Sequence, residues 1–129
     1  MLDYKELRIG NIILSPDTNK PVRVEIDHLR AIKNNASING VFYEPIPLTP
    51  EILEKAGFEN ELNQFFTSTK AVREGFIELE KDGDLYIVML KQKNEDETWD
   101  SVLLNDIFYL HQIQNLFFAL TNEELEINL

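Results

Sequence analysis

The sequence predicts an α+β protein. Its antiparallel strands include an SH3-like β-rich N-terminal half, and a short middle helix and a C-terminal helix packed on a sheet complete it. Three observations carry this. The first 45 residues break into short β-branched runs separated by turn formers. Thr49-Pro50-Glu51 opens a capped helix. Apolar residues then recur at helical spacing from Leu110 to Leu120.

In chain order, Met1 to Arg8 reads as a turn of helix or a lead-in. Gly10-Asn11 precedes Ile12-Ile13-Leu14, and a β-branched run after such a step reads as a strand. Ser15 to Lys20 is dense in turn formers, where Asn19 tolerates a left-handed backbone. Val22, Val24 and Ile26 alternate with Arg23, Glu25 and Asp27, which predicts a half-buried strand and, with the first run, a hairpin. His28 falls on its polar side or just past it and is assigned to the surface. Asn39-Gly40 is a tight-turn pair, with a strand expected at Val41 to Tyr43. These strands are expected to curl into a small barrel.

Pro45-Ile46-Pro47 is an extended connector, because a residue before proline avoids the helical region. Thr49 is the N-cap of a helix from Pro50 to Ala56, with Pro50 at its first position and Gly57 ending it. Ile52, Leu53 and Ala56 form its apolar face. Glu59 to Arg73 has no clear period, although Phe65-Phe66 can begin a strand. Gly75 to Glu80 reads as a strand, Asp82-Gly83 as a turn, and Leu85 to Leu90 as a mid-sheet strand covered on both faces. Gln92 to Glu97 is a polar loop, and Thr98 to Leu104 a further strand carrying the single tryptophan, Trp99.

Leu110, Ile113, Leu116, Phe117 and Leu120 form one stripe of a helix. His111, Gln112, Asn115 and Phe118 lie off it and are the candidate partner surface. Asn122 can stop the helix. Leu125, Ile127 and Leu129 alternate with Glu124, Glu126 and Asn128, which predicts a closing strand. A capping box at Thr121 and Glu124 is the competing signal.

The chain has 129 residues, which suits one domain (residues 1–48 β-rich, 49–129 sheet plus helix), and 43% of them are apolar. No cysteine is present, so neither disulfides nor thiolate chemistry are available. No run approaches about 18 apolar residues, so no membrane span is read. The start lacks a basic segment followed by an apolar one, so no secretion signal is read. The net charge is −11. Residues 1–40 carry six basic and five acidic side chains, whereas residues 41–129 carry six and eighteen. Such a surface repels phosphate backbones and disfavours nucleic acid as a partner.

Three phrases resemble one family: LRIGN at Leu7 to Asn11, PIPLTPEILEKAGF at Pro45 to Phe58, and YLHQIQNLFFALTNEELEI at Tyr109 to Ile127. The family consists of small proteins encoded by phages and mobile elements of Bacteroides-type bacteria, and no activity is assigned to it. Its carboxyl end is similar to LHQLQNLYFALTGEELEI, matched here at His111, Gln112, Gln114, Asn115, Leu116, Phe118, Ala119, Leu120 and Thr121. Asn122 stands where the family often has glycine, and Phe117 fills a slot that is often aromatic. The strands from Phe65 to Leu104 do not contribute. The resemblance implies a phage or mobile-element origin and a cytoplasmic location in the bacterial host.

Chemistry is sparse. His111 and Asn115 sit one turn apart, so an amide could orient an imidazole for acid–base work. The competing reading has the polar helix residues bonding to strand ends or loop backbone. No HxxxH or HExxH spacing is present, so no metal site and no cofactor are expected. Glu78, Glu80, Asp82 and Asp84 alternate around a turn without EF-hand spacing and read as a solvated hairpin. No phosphate-loop or nucleophile-elbow pattern occurs, so no residue is assigned a catalytic role. Trp99, Phe108, Tyr109 and Phe118 read as core or core edge, and as a binding patch wherever two of them are exposed together. Arg8, Lys20, Arg23, Arg30 and Lys33 suggest a basic stripe, outweighed by the acidic remainder.

The function expected is therefore a small non-enzymatic accessory protein whose partner is a host or phage protein or a second copy of itself. The alternatives are an acidic DNA mimic that occupies a host DNA-binding protein, and an enzyme using His111.

Overall fold

The computed structural model describes residues 2–62, 64–67 and 75–129. Residues 68–74, the end of the stretch without a clear period, lie outside them. The fold is mixed α+β, with antiparallel pairing throughout its sheets. The chain forms two compact units. One comprises residues 1–47 and 109–115, the other residues 48–108 and 116–129.

In the first unit, a 3-10 turn at Tyr4–Glu6 leads into β1 (Ile12–Leu14), which pairs with β2 (Pro21–Arg23). Asn19 takes φ +54 in the turn between them, as its side chain permits. The expected alternating strand ends early. A helix, α1 (Ile26–Lys33), occupies its second half. The reason is local. Glu25 and His28 form a reciprocal capping box, in which His28 Nδ1 accepts from Glu25 N at 2.9 Å. Two orphan groups of the first turn are thus satisfied. Ile26, the third member of the alternation, is 57% exposed, while Leu29 and Ile32 take over the apolar face. His28 is half-buried, its ring set edge-on to Tyr43 at 5.7 Å.

Two short strands follow, β3 (Ser37–Ile38) and β4 (Val41–Phe42), joined by Asn39-Gly40. Both turn residues have positive φ, +53 and +78, as a type I′ hairpin requires. The N-terminal strands do not close into a barrel. They form two separate two-stranded sheets, linked by one antiparallel bridge between Leu14 and Glu44. The intervening α1 supplies the cover that barrel closure would have given. Leu2, Ile13, Val24 and Ile32 form the core, with Tyr4, Leu7, Val22, Leu29 and Tyr43 around it.

In the second unit, α2 (Pro50–Lys55) starts where the sequence places it. Thr49 Oγ1 accepts from Ile52 N at 3.3 Å, and Gly57 at φ +90 ends the helix. Leu53 is fully buried. A five-stranded antiparallel meander follows: β5 (Glu59–Glu61), β6 (Gln64–Thr67), β7 (Gly75–Asp82), β8 (Leu85–Lys93) and β9 (Trp99–Leu103). The turn between β7 and β8 is Gly83-Asp84, one residue later than expected, because Asp82 pairs with Leu85. The polar loop is likewise shortened, since β8 continues to Lys93 and Glu97 turns the chain at φ +69.

Phe65, Ile77, Leu79, Tyr86 and Val88 are buried. On β8, by contrast, Leu85, Ile87 and Met89 are only half-buried, so one face of this strand meets the core and the other is partly open. Phe65 and Tyr86 meet edge-on at 6.0 Å. The Tyr86 hydroxyl is buried without a hydrogen-bond partner, and burial, helped by the Glu51 charge, pushes its pKa up. Removing an unsatisfied hydroxyl forfeits no bond. Tyr86→Phe is therefore expected to leave the urea midpoint unchanged or raise it, by about 1 kcal/mol at most.

Helix α3 (Leu110–Thr121) contributes its first half to one unit and its second half to the other. It stops at Asn122, φ +57, as expected. Neither closing element forms beyond it. Residues 122–129 join no ladder, and Thr121 Oγ1 accepts from Glu123 N and donates to Phe117 O instead of opening a helix. The alternation in burial nevertheless survives: Leu125 and Ile127 are buried between exposed neighbours. Among the described residues, no helix is long and apolar enough to cross a membrane.

Candidate functional site

The first candidate site is the start of α3. Its buried face holds Leu110, His111, Ile113, Gln114 and Phe117, while Leu116 and Leu120 are only half-buried. The stripe is thus rotated from the one read in the sequence, and it carries two polar side chains inward.

Gln114 is fully buried. Its Oε1 accepts from Ile12 N at 2.8 Å, and its Nε2 donates to Gly10 O at 3.4 Å. Asn115 is half-buried. Its Nδ2 donates to Glu6 O at 2.8 Å, and its Oδ1 accepts from Asn11 Nδ2 at 2.7 Å. Asn11, itself fully buried, accepts from Arg8 N through Oδ1 at 2.7 Å. These bonds join LRIGN and HQIQN. They also close the outer side of β1. Ile13 pairs with β2, so Ile12 and Leu14 turn their backbone away from it. Gln114 takes the Ile12 N–H, and Glu44 exchanges hydrogen bonds with Leu14.

Of the four candidate partner residues, His111 is 2% exposed, Gln112, Asn115 and Phe118 are half-buried, and Phe118 belongs to the second unit. Gln112 Oε1 accepts from Tyr109 N at 3.0 Å and caps the helix start. His111 stacks on Tyr109, with ring centroids 5.9 Å apart and planes 9° apart. Neither imidazole nitrogen has a hydrogen-bond partner, and the nearest charge is Glu6 Oε2, 4.0 Å from Nε2. The carboxylate would favour an imidazolium, but Glu6 is mostly solvated. Burial dominates and depresses the His111 pKa.

Gln114 and Asn11 were missed by reading for chemistry. The signal that finds Gln114 is a polar residue at the i+4 position between Leu110 and Phe117 on an apolar stripe.

The second site is the outer edge of β9. Every residue of this strand is exposed, with Trp99 at 51%, Val102 at 52% and Leu103 at 65%. Asn94 N donates to Thr98 O at 2.7 Å, and Leu104 N donates to Val88 O at 2.9 Å. Bonding positions alternate along an antiparallel strand. Asp100 and Val102 therefore face β8, and Trp99, Ser101 and Leu103 turn their N–H and C=O groups outward. Among the described residues nothing pairs with that edge. Trp99, expected in the core or at its edge, instead lies half-exposed against Phe76, at 5.6 Å between ring centroids. Phe108 is also exposed, at 42%. The opposite edge, β5, is guarded. It is three residues long and exposes Glu59 and Glu61, the usual way to discourage strand addition.

Among the described residues no group of three acidic or histidine side chains is arranged to hold a metal ion. Comparison with protein-family models, curated proteins and solved structures gave no match.

Proposed function

We propose that this chain is a small accessory protein of a phage or mobile element, working in the bacterial cytoplasm by binding polypeptide rather than by catalysis. The observation that carries this reading is the open, apolar edge of β9. Strand addition to a free edge gains main-chain hydrogen bonds, and side-chain contacts on either face add selectivity. Trp99 is a side-chain type that anchors such contacts, and the apolar Leu103 lies on the same face of that edge. Catalysis by His111 is less well supported. The ring is almost wholly buried, and the Asn115 amide that would orient it is engaged at both ends by Asn11 and Glu6.

Ser101→Pro tests the reading. The Ser101 N–H faces away from β8, so proline there removes no ladder bond, as edge strands tolerate. Immobilised wild-type protein is expected to retain specific polypeptides from bacterial lysate, and the proline variant to lose them. Retention of the same set by both proteins, or of none by a wild-type protein that also fails to self-associate, would count against β9 as a binding edge.

A further inference from the structure

Resting on the reading of β9 as a binding edge, we infer that its occupant is the β9 strand of a second copy, paired antiparallel about a twofold axis at Ser101. Three outward-facing residues, Trp99, Ser101 and Leu103, offer six backbone groups. One twofold register uses all of them. It sets Ser101 opposite Ser101 and Trp99 opposite Leu103 of the other copy, giving six interstrand hydrogen bonds. The side chains agree with it. Trp99 against Leu103 is an aromatic–aliphatic cross-strand pair, repeated by symmetry, on the face that already holds the Phe76–Trp99 contact. On the other face Asp100 meets Val102, so no like charges stand directly opposite. Centring the pairing one residue earlier would oppose Asp100 to Asp100 and leave Leu103 beyond the paired region. The acidic β5 edge offers no comparable match to itself, because Glu59 and Glu61 would face each other.

The association is weak by construction. A single pair of five-residue strands buries less than the roughly 1,200–2,000 Å² typical of stable complexes. Each copy also carries a net charge of −11, so the two repel. Salt screens that repulsion and strengthens the dimer.

The chain has no cysteine, which makes crosslinking a clean test. Facing residues at a bonded antiparallel position have Cα atoms about 5.5 Å apart, within disulfide range. Under mild oxidation, Ser101→Cys is expected to form a covalent dimer at least tenfold faster than Glu59→Cys on the other edge. Sedimentation of wild-type protein is expected to show a monomer–dimer equilibrium that shifts toward dimer with added salt. Ser101→Pro is expected to remain monomeric with an unchanged circular dichroism spectrum. Equal crosslinking rates for the two cysteine variants, or wild-type dimerisation by a folded Ser101→Pro protein, overturns the self-pairing. Should Ser101→Pro misfold, the crosslinking comparison decides alone. If self-pairing fails while Ser101→Pro still loses the polypeptides captured by wild type, β9 is a binding edge for a different protein.

Discussion

Gln114→Ala is expected to lower the stability of the first unit by about 2–4 kcal/mol, read as a shift of the urea midpoint at unchanged slope. Two effects combine. The Ile12 N–H loses its acceptor in a buried place, at a cost of about 1–3 kcal/mol. Truncation also leaves a void where the side chain was fully enclosed. Gln114→Met separates the two. It fills most of the volume but cannot bond, so it should cost about 1–3 kcal/mol and no more. A Gln114→Ala protein as stable as wild type would mean that the bracket between α3 and β1 contributes nothing. The neighbouring Asn11–Asn115 pair offers a second check on the bracket. A double-mutant cycle to alanine should show coupling of about 0.5–3 kcal/mol, because the two amides bond directly at 2.7 Å.

Stability is expected to fall on mild acidification, and His111→Phe should flatten that fall. Burial depresses the His111 pKa in the folded chain, so the unfolded chain binds its proton at higher pH. Stability then rises with pH wherever the unfolded state holds more protons. His111 thus costs nothing above its ordinary value near 6.5. It becomes destabilising as pH drops through that value, and the loss is complete once pH has passed the depressed folded value. One such proton changes stability by at most about 1.4 kcal/mol per pH unit. Glu6 is the charged group facing the ring, and Tyr109 the aromatic one. Phenylalanine keeps the stack on Tyr109, and neither lost nitrogen had a partner. The wild-type-minus-variant difference isolates His111 from the carboxylates and from His28. If the two pH profiles are parallel between pH 7 and 5, the ring titrates alike folded and unfolded, and its burial does not govern stability.

Much of the fold was legible because its signals are local. Thr49-Pro50, Asn39-Gly40, Gly57 and Asn122 each act through their own backbone geometry, and each does what its residue type dictates. The failures came where two local signals competed. Val22, Val24 and Ile26 have the period of a strand, but Glu25 and His28 cap a helix, and the cap won once Ile26 could face solvent while Leu29 and Ile32 faced the core. At the carboxyl end the alternation of Leu125 and Ile127 correctly marked burial but not pairing, since alternation records which side is covered and says nothing of a neighbouring strand. The candidate site was half legible. His111, Gln112 and Asn115 stood out as polar residues on an apolar helix, and one of the two readings offered for them, bonding to loop backbone, describes Asn115. Gln114, noted only as a matched residue of the resemblance, was given no role, because a glutamine's worth as a bracket depends on an N–H more than a hundred residues away.

The sequence by itself therefore determined the fold class, the capped middle helix, the Asn39-Gly40 turn and the helical period of α3, all of which follow from propensities and contacts a few residues apart. Only the tertiary structure decided that Gln114 and Asn115 bind the LRIGN segment, and that one edge of the sheet is charged while the other is left open. Those outcomes depend on which backbone groups remain unpaired after every strand has found its neighbour, a property of the assembled sheets that no single stretch of chain contains.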